Sequence, residues 1–172
     1  LEGKPIKPIR EDVSMNKTII IAPWAKSLRN GKENAKNYPF WPELVKLLKQ
    51  DGFNTIQIGI HGETDIGANE KRLNLSMGKL ENLIKENSIV ITVDSFIQHF
   101  CWYLNKPAIV IWGKSDPEIF GHPENINLLK DRVNLRLDPF RWWEDVEASN
   151  DLSIWVDPQT IFSKIKSLNL IN

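Results

Sequence analysis

Apolar residues recur along this chain in two alternating patterns. Thr18 to Ala22 (TIIIA), Thr55 to Ile60 (TIQIGI), Ile89 to Val93 (IVITV) and Ala108 to Trp112 (AIVIW) are short runs rich in β-branched residues. Such runs are typical of strands buried on both faces. Between them lie stretches with apolar positions three and four apart, which predict helices. Pro42 to Gln50 (PELVKLLKQ) brings Leu44, Leu47 and Leu48 to one face, with a proline in the first turn and Gly52 after the last. Met77 to Glu86 does the same with Leu80, Leu83 and Ile84, and Phe96 to Leu104 with Phe96, Phe100 and Leu104. The remainder predicts extended pieces near Ile126 to Leu129 and Val133 to Leu137, then a helix from Asp157-Pro158 to about Leu168.

Strands alternating with helices of this length predict βαβ units, a mostly parallel sheet and a three-layer, Rossmann-like α/β fold. Residues 18–172 form one domain in this reading. Residues 1–17, interrupted by Pro5 and Pro8, form a linker or arm. The chain opens on leucine instead of methionine, as an excerpt of a longer polypeptide would.

Composition narrows the function classes. The 22 basic residues balance the 22 acidic ones, which argues against a surface that works by broad phosphate neutralisation on nucleic acid. A local cationic site remains compatible with that balance. The single cysteine, Cys101, excludes an intramolecular disulfide and points to a reducing compartment. No apolar run approaches the roughly 20 residues of a membrane span. Walker, G-x-G-x-x-G, G-x-S-x-G and H-E-x-x-H motifs are absent, against NTPase, dehydrogenase, serine hydrolase and zincin chemistry. Seven tryptophans are many for 172 residues; most belong in a core, and those of the Trp24 to Trp41 loop or Trp142-Trp143 are candidates for self-association.

Ligands of an open parallel sheet bind beyond the carboxyl ends of its strands, so the loops after each strand hold the candidate chemistry. Asp94-Ser95-Phe96-Ile97-Gln98-His99 leaves a strand and opens a helix. Its free amides, the Ser95 hydroxyl and His99 one turn on suit a diphosphate. Ser95 equally suits a plain N-cap, with His99 an ordinary half-buried histidine. Gly113-Lys114-Ser115-Asp116-Pro117 and Gly121-His122-Pro123 follow the next strand. Gly113 permits close backbone approach, while Ser115 and Asp116 also read as turn and cap. Lys36, before the first helix, can reach a phosphate or stay solvated. Glu63, in His61-Gly62-Glu63-Thr64-Asp65, is placed to accept from ribose hydroxyls or to sit in an exposed turn.

The order of these segments resembles the heptosyltransferase family of lipopolysaccharide synthesis. Asp94-Ser95 with His99, Leu104-Asn105-Lys106-Pro107-Ala108, and Gly113-x-Ser115-Asp116-Pro117 with Gly121-x-Pro123 carry the likeness, which spans roughly Ile19 to Pro123. The loop Ala35-Lys36-Asn37-Tyr38-Pro39 is similar to the family's lysine loop. Phe96 stands where the family has glycine, and Leu28 to Asn34 lengthens the lysine loop. The resemblance implies the donor-binding half of a two-domain GT-B glycosyltransferase, taking a nucleotide-diphosphate sugar such as ADP-heptose. It implies that Lys36, Ser95 and His99 hold the diphosphate, Asp94 the sugar and Glu63 the ribose, with Gly113, Ser115 and Asp116 completing the site. It also implies metal-independent chemistry without a cofactor, a glycan or lipid-linked acceptor, and a cytoplasmic place of work compatible with the inner membrane face. The general base would lie in a separate acceptor domain, so this half alone would bind donor without transferring sugar efficiently. Two readings stand beside it: a non-catalytic nucleotide-sugar-binding module that self-associates or joins a separate acceptor partner, and another enzyme of this architecture such as an epimerase.

Overall fold

The computed structural model of the chain describes residues 17–87 and 89–168. The arm expected over residues 1–17 lies outside these apart from Lys17. Six parallel strands form one sheet: β1 (Thr18–Ala22), β2 (Asn54–Gly59), β3 (Glu70–Leu73), β4 (Ile89–Val93), β5 (Ile109–Trp112) and β6 (Ile126–Leu129). Their spatial order is β3-β2-β1-β4-β5-β6, with every neighbouring pair parallel. The helices are α1 (Trp41–Gln50), α2 (Met77–Glu86), α3 (Phe96–Tyr103), α4 (Pro117–Phe120) and α5 (Pro158–Ser167).

The pleat divides the strand residues between two cores. Ile19 and Ile21 of β1, Ile89, Ile91 and Val93 of β4, and Ile109 and Ile111 of β5 face α1 and α5. Ile20, Val90 and Val110 face the other way, onto Leu80, Leu83 and Ile84 of α2 and Cys101 of α3. Burial on both faces explains why these strands carry no polar alternation. Each fully buried Ile or Leu contributes about 1.5–3 kcal/mol, so the sheet's centre is its most strongly held part. Gln57 is buried without a charge partner, but its amide donates to the Thr64 carbonyl and accepts from Ile66 N–H.

One strand escaped the sequence reading, and two expectations are corrected. Glu70 to Leu73 forms the edge strand β3, although its charged, exposed residues give no apolar signal. Val133 to Leu137 is no extended piece, because Arg132–Asn134 turns as a short 3-10 helix capped by Asp131. In α3 the buried residues are Gln98 and Cys101, while Phe96 is turned outward.

The aromatic residues divide in the same way. Trp41 and Tyr38 are buried in the α1 core, so they offer no surface to a partner. Tyr38 donates to the Val156 carbonyl at 2.8 Å and meets Trp41 and Trp155 edge-on. That bond ties the long loop after β1 to the segment entering α5. Trp142, by contrast, is exposed.

Gly113 serves packing. A β-carbon there would fall 2.4 Å from the Trp155 ring, so the close approach of Trp155 needs glycine. Gly113→Ala should lower stability by about 1–3 kcal/mol, the range for an overpacked core. A urea midpoint unchanged from wild type would contradict this packing role.

Candidate functional site

The chain crosses from one side of the sheet to the other between β1 and β4. At such a switch the loops leaving adjacent strands diverge and open a crevice. A cleft of about 610 Å³ lies there, lined by residues 25–29 after β1, the start of α3, Arg136 and residues 139–144. Lys26, Arg29, Lys36, Arg136 and Arg141 face Asp94 and Glu144 across it. Five cationic side chains against two acidic ones give an otherwise neutral chain the local cationic site that its composition allowed.

Asp94, immediately after β4, is the centre of this arrangement. Its Oδ2 accepts from Ser115 Oγ at 2.6 Å and pairs with Lys36 Nζ at 3.0 Å. Its Oδ1 accepts from Gln98 Nε2 at 3.0 Å. Gln98 is fully buried and also donates to the Phe120 carbonyl. The sugar contact expected of Asp94 therefore competes with a duty inside the protein: the carboxylate joins β4, α3, the β5 loop and the lysine loop.

Lys36 is aimed by the loop that carries it. Asn34 donates to the Lys26 carbonyl and accepts from the Lys36 amide, while Asn37 accepts from the Ala25 amide. The segment Leu28 to Asn34 thus ends in a buried asparagine that shapes the turn before Lys36. Above the lysine, Nζ lies 4.8 Å from the Trp143 ring centroid. Arg136 approaches the same ring at 3.7 Å and donates to the carbonyls of Arg141 and Pro139. Cations held against an indole gain from the ring's negative face. Burial also holds the Arg136 guanidinium below its ordinary pKa, with Asp94 and Asp138 opposing that effect.

Ser95 caps α3, accepting from the Ile97 amide at 3.3 Å and meeting Thr92 Oγ1 at 3.1 Å. One turn on, His99 lines the cleft and its Nδ1 lies 2.8 Å from His122 Nε2. Its pKa is lowered, first by burial and then by His122 and Lys36, with Asp94 acting in the opposite sense. Phe96 rims the cleft and stacks on Phe100 at 5.4 Å.

The remaining candidates are placed elsewhere. Ser115 reaches the cleft through Asp94. Asp116 caps α4 and pairs with Arg132 at 2.7 Å, away from the cleft lining. Gly113 is packed under Trp155. Glu63 borders a separate, mostly apolar cavity of about 190 Å³ at the end of β2, lined by Ala22, Trp24, Ile58, Leu80 and Ile97 among others. Its Oε2 accepts from the Ile60 amide at 3.0 Å, over Gly59, where a β-carbon would collide with the carboxylate. Sequence reasoning missed Gln98 and Arg136, and it singled out Trp142-Trp143 without foreseeing the two cations against the Trp143 ring. No three His, Cys, Asp or Glu side chains gather as metal ligands among the described residues. No helix among them is long and apolar enough to cross a membrane.

The sheet is doubly wound with a cationic crevice at its switch point, the place where ligands bind in the Rossmann-like class of α/β proteins. Within it, the family model for glycosyltransferase family 9 (heptosyltransferase) matches residues 7–137, and the chain belongs to that family. No curated protein matches the chain. Solved structures share its fold. An E. coli ADP-heptose lipopolysaccharide heptosyltransferase II aligns with a TM-score of 0.64 at 19% identity, over 92% of this chain and 47% of its own. The E. coli heptosyltransferase WaaC with ADP gives 0.60 at 17%, over 90% and 45%. TibC, from enterotoxigenic E. coli and described as a dodecameric iron-containing heptosyltransferase in complex with ADP-D-beta-D-heptose, gives 0.64 at 17%, over 88% and 45%. The chain spans less than half the length of each of these.

The Lys36–Asp94 pair is nearly enclosed, the side chains being 19% and 9% exposed. Asp94→Ala leaves Lys36 and Ser115 without their shared acceptor and should cost about 3 kcal/mol. Lys36→Ala should cost less, since Gln98 and Ser115 still satisfy the carboxylate. Chemical denaturation of both variants that finds the lysine change costlier would refute this ordering.

Proposed function

We propose that the chain is the donor-binding half of a glycosyltransferase that takes a nucleotide-diphosphate sugar of the ADP-heptose kind. The observation that carries this reading is the excess of cations around the start of α3. Lys36, Arg136 and the start of α3 line a cleft large enough for a diphosphate and its sugar. Desolvated cations and helix amides act most strongly on charge that develops during reaction. The apolar cavity beside Glu63 fits a nucleobase. With Oε2 of Glu63 accepting from the Ile60 amide, its Oε1 is left to accept from a ribose hydroxyl.

In this mechanism an acceptor hydroxyl oxygen attacks the anomeric carbon while the bond from that carbon to the diphosphate oxygen breaks. The acceptor's proton passes to a base outside this chain, in an acceptor-binding half that would account for the relatives' greater length. The nucleoside diphosphate leaves with its new charge facing Lys36 and Arg136. Lipopolysaccharide or another glycan is the acceptor class, no metal or cofactor takes part, and the chemistry takes place in the cytoplasm. The ADP and ADP-heptose complexes of WaaC and TibC support the choice of donor. Oligomerisation like that named for TibC would use exposed Trp142, not the buried Trp41.

Calorimetric titration with ADP and with ADP-, UDP- and GDP-sugars tests the reading. The ADP compounds should bind, and Lys36→Ala or Arg136→Ala should each weaken binding about tenfold or more, since charged hydrogen bonds contribute about 1.5–3 kcal/mol each. Added salt should reduce affinity. Absence of binding to every nucleotide at millimolar concentration would overturn the proposal. His99 is pressed toward its neutral form, so affinity should also stay level from about pH 7 to 8. A fall over that interval would mean that an imidazolium contributes.

A further inference from the structure

His99 and His122 pose a problem of proton placement. His99 lines the cleft, its Nδ1 is occupied by His122 Nε2 at 2.8 Å, and its Nε2 has no hydrogen-bond partner among the described residues. The groups facing it are Asp94, Lys36 and His122, and their combined effect with burial disfavours the imidazolium. A neutral imidazole carries one N–H. If that proton sat on Nδ1, a bare lone pair would face the cleft and repel a phosphoryl oxygen. If it sits on Nε2, His99 is a donor to the same oxygen. The hydrogen bond at the other nitrogen decides between the two.

His122 is held so as to make that decision. Its ring stacks on Trp102 with centroids 4.4 Å apart and planes 4° from parallel. Its carbonyl accepts from Asn127 Nδ2 at 2.9 Å, and Asn127 Oδ1 in turn accepts from Nε1 of the buried Trp112. Gly121, where a β-carbon would meet the Pro117 carbonyl at 2.5 Å, lets the chain pack closely against α4 just before it. With the proton of His122 on Nε2, the residue donates to His99 Nδ1, and both rings adopt the tautomer that a free neutral histidine favours.

We propose that His122 is a positioning residue: by donating from Nε2 to His99 Nδ1, it keeps the His99 proton on Nε2 and makes an uncharged histidine a hydrogen-bond donor to the ligand's phosphoryl group. The ligand part of this statement rests on the nucleotide-binding reading above; the tautomer part does not.

The chain has three histidines, His61, His99 and His122, so a long-range nitrogen–proton NMR spectrum of the labelled chain can be assigned by substitution. At neutral pH and without ligand, His99 should be protonated on Nε2 with Nδ1 an acceptor. In His122→Ala it should become a mixture of tautomers, and ADP affinity should fall in proportion to the share of His99 that loses the Nε2 proton, up to about twofold. His122→Gln, whose amide N–H reaches about the place of the imidazole Nε2, should restore both, which a merely structural loss would not allow. A His99 proton on Nδ1 in the wild type would overturn the proposal. So would an unchanged His99 tautomer in His122→Ala, or a changed tautomer with unchanged ADP affinity. If the wild type binds no ADP, the nucleotide reading fails and the donor role with it, while the spectra still decide whether His122 sets the tautomer.

Discussion

A carboxylate that leaves water at the end of a buried strand must find its hydrogen bonds in the protein, and at Asp94 this requirement organises the whole cleft. Three donors from three separate parts of the chain answer it: Gln98 one turn into α3, Ser115 after β5, and Lys36 from the loop before α1. Each donor is thereby fixed relative to the start of α3. The sheet supplies the strand end, the switch between β1 and β4 supplies the opening, and Asp94 sets what surrounds it. A cation positioned this way is already desolvated before any ligand arrives, so less reorganisation accompanies binding.

The same logic governs the histidines. The Arg136 guanidinium keeps its charge although burial holds its pKa down, whereas burial with His122 and Lys36 disfavours a further cation on His99. On the proposed reading, phosphate recognition there depends on which neutral tautomer is present, and this in turn on the packing of His122 against Trp102 and the Trp112–Asn127 hydrogen bond. Packing and proton position are thus linked in one structure.

Much of this was legible in the residues themselves. β1, β4 and β5 announced themselves because both their faces are buried, leaving no polar position to confuse the pattern. β3 stayed hidden for the opposite reason: at the edge of the sheet Glu70, Lys71 and Arg72 remain in solvent and carry no apolar period. α3 inverts the usual rule, burying Gln98 and exposing Phe96, because a polar anchor was needed beneath Asp94. The motif from Asp94 to His99 and the lysine loop pointed to the cleft. Arg136 could not be read, since it comes from a stretch of short turns without periodicity and its meaning is purely spatial. Asp116 and Gly113 belong to the same motif in sequence but serve a helix cap and a tryptophan in space.

The two walls of the cleft are held by different forces. Its floor, at the ends of β1 and β4, belongs to the fully buried sheet. Residues 136–144 instead rest on cation–ring contacts and carbonyl hydrogen bonds, with Phe140 and Trp142 largely in solvent. Regions with little buried apolar area open at a fraction of the free energy of global unfolding. This wall can therefore fluctuate as a unit of low local stability while the floor keeps its shape, so that access to the site and the survival of the fold are set by separate parts of the molecule.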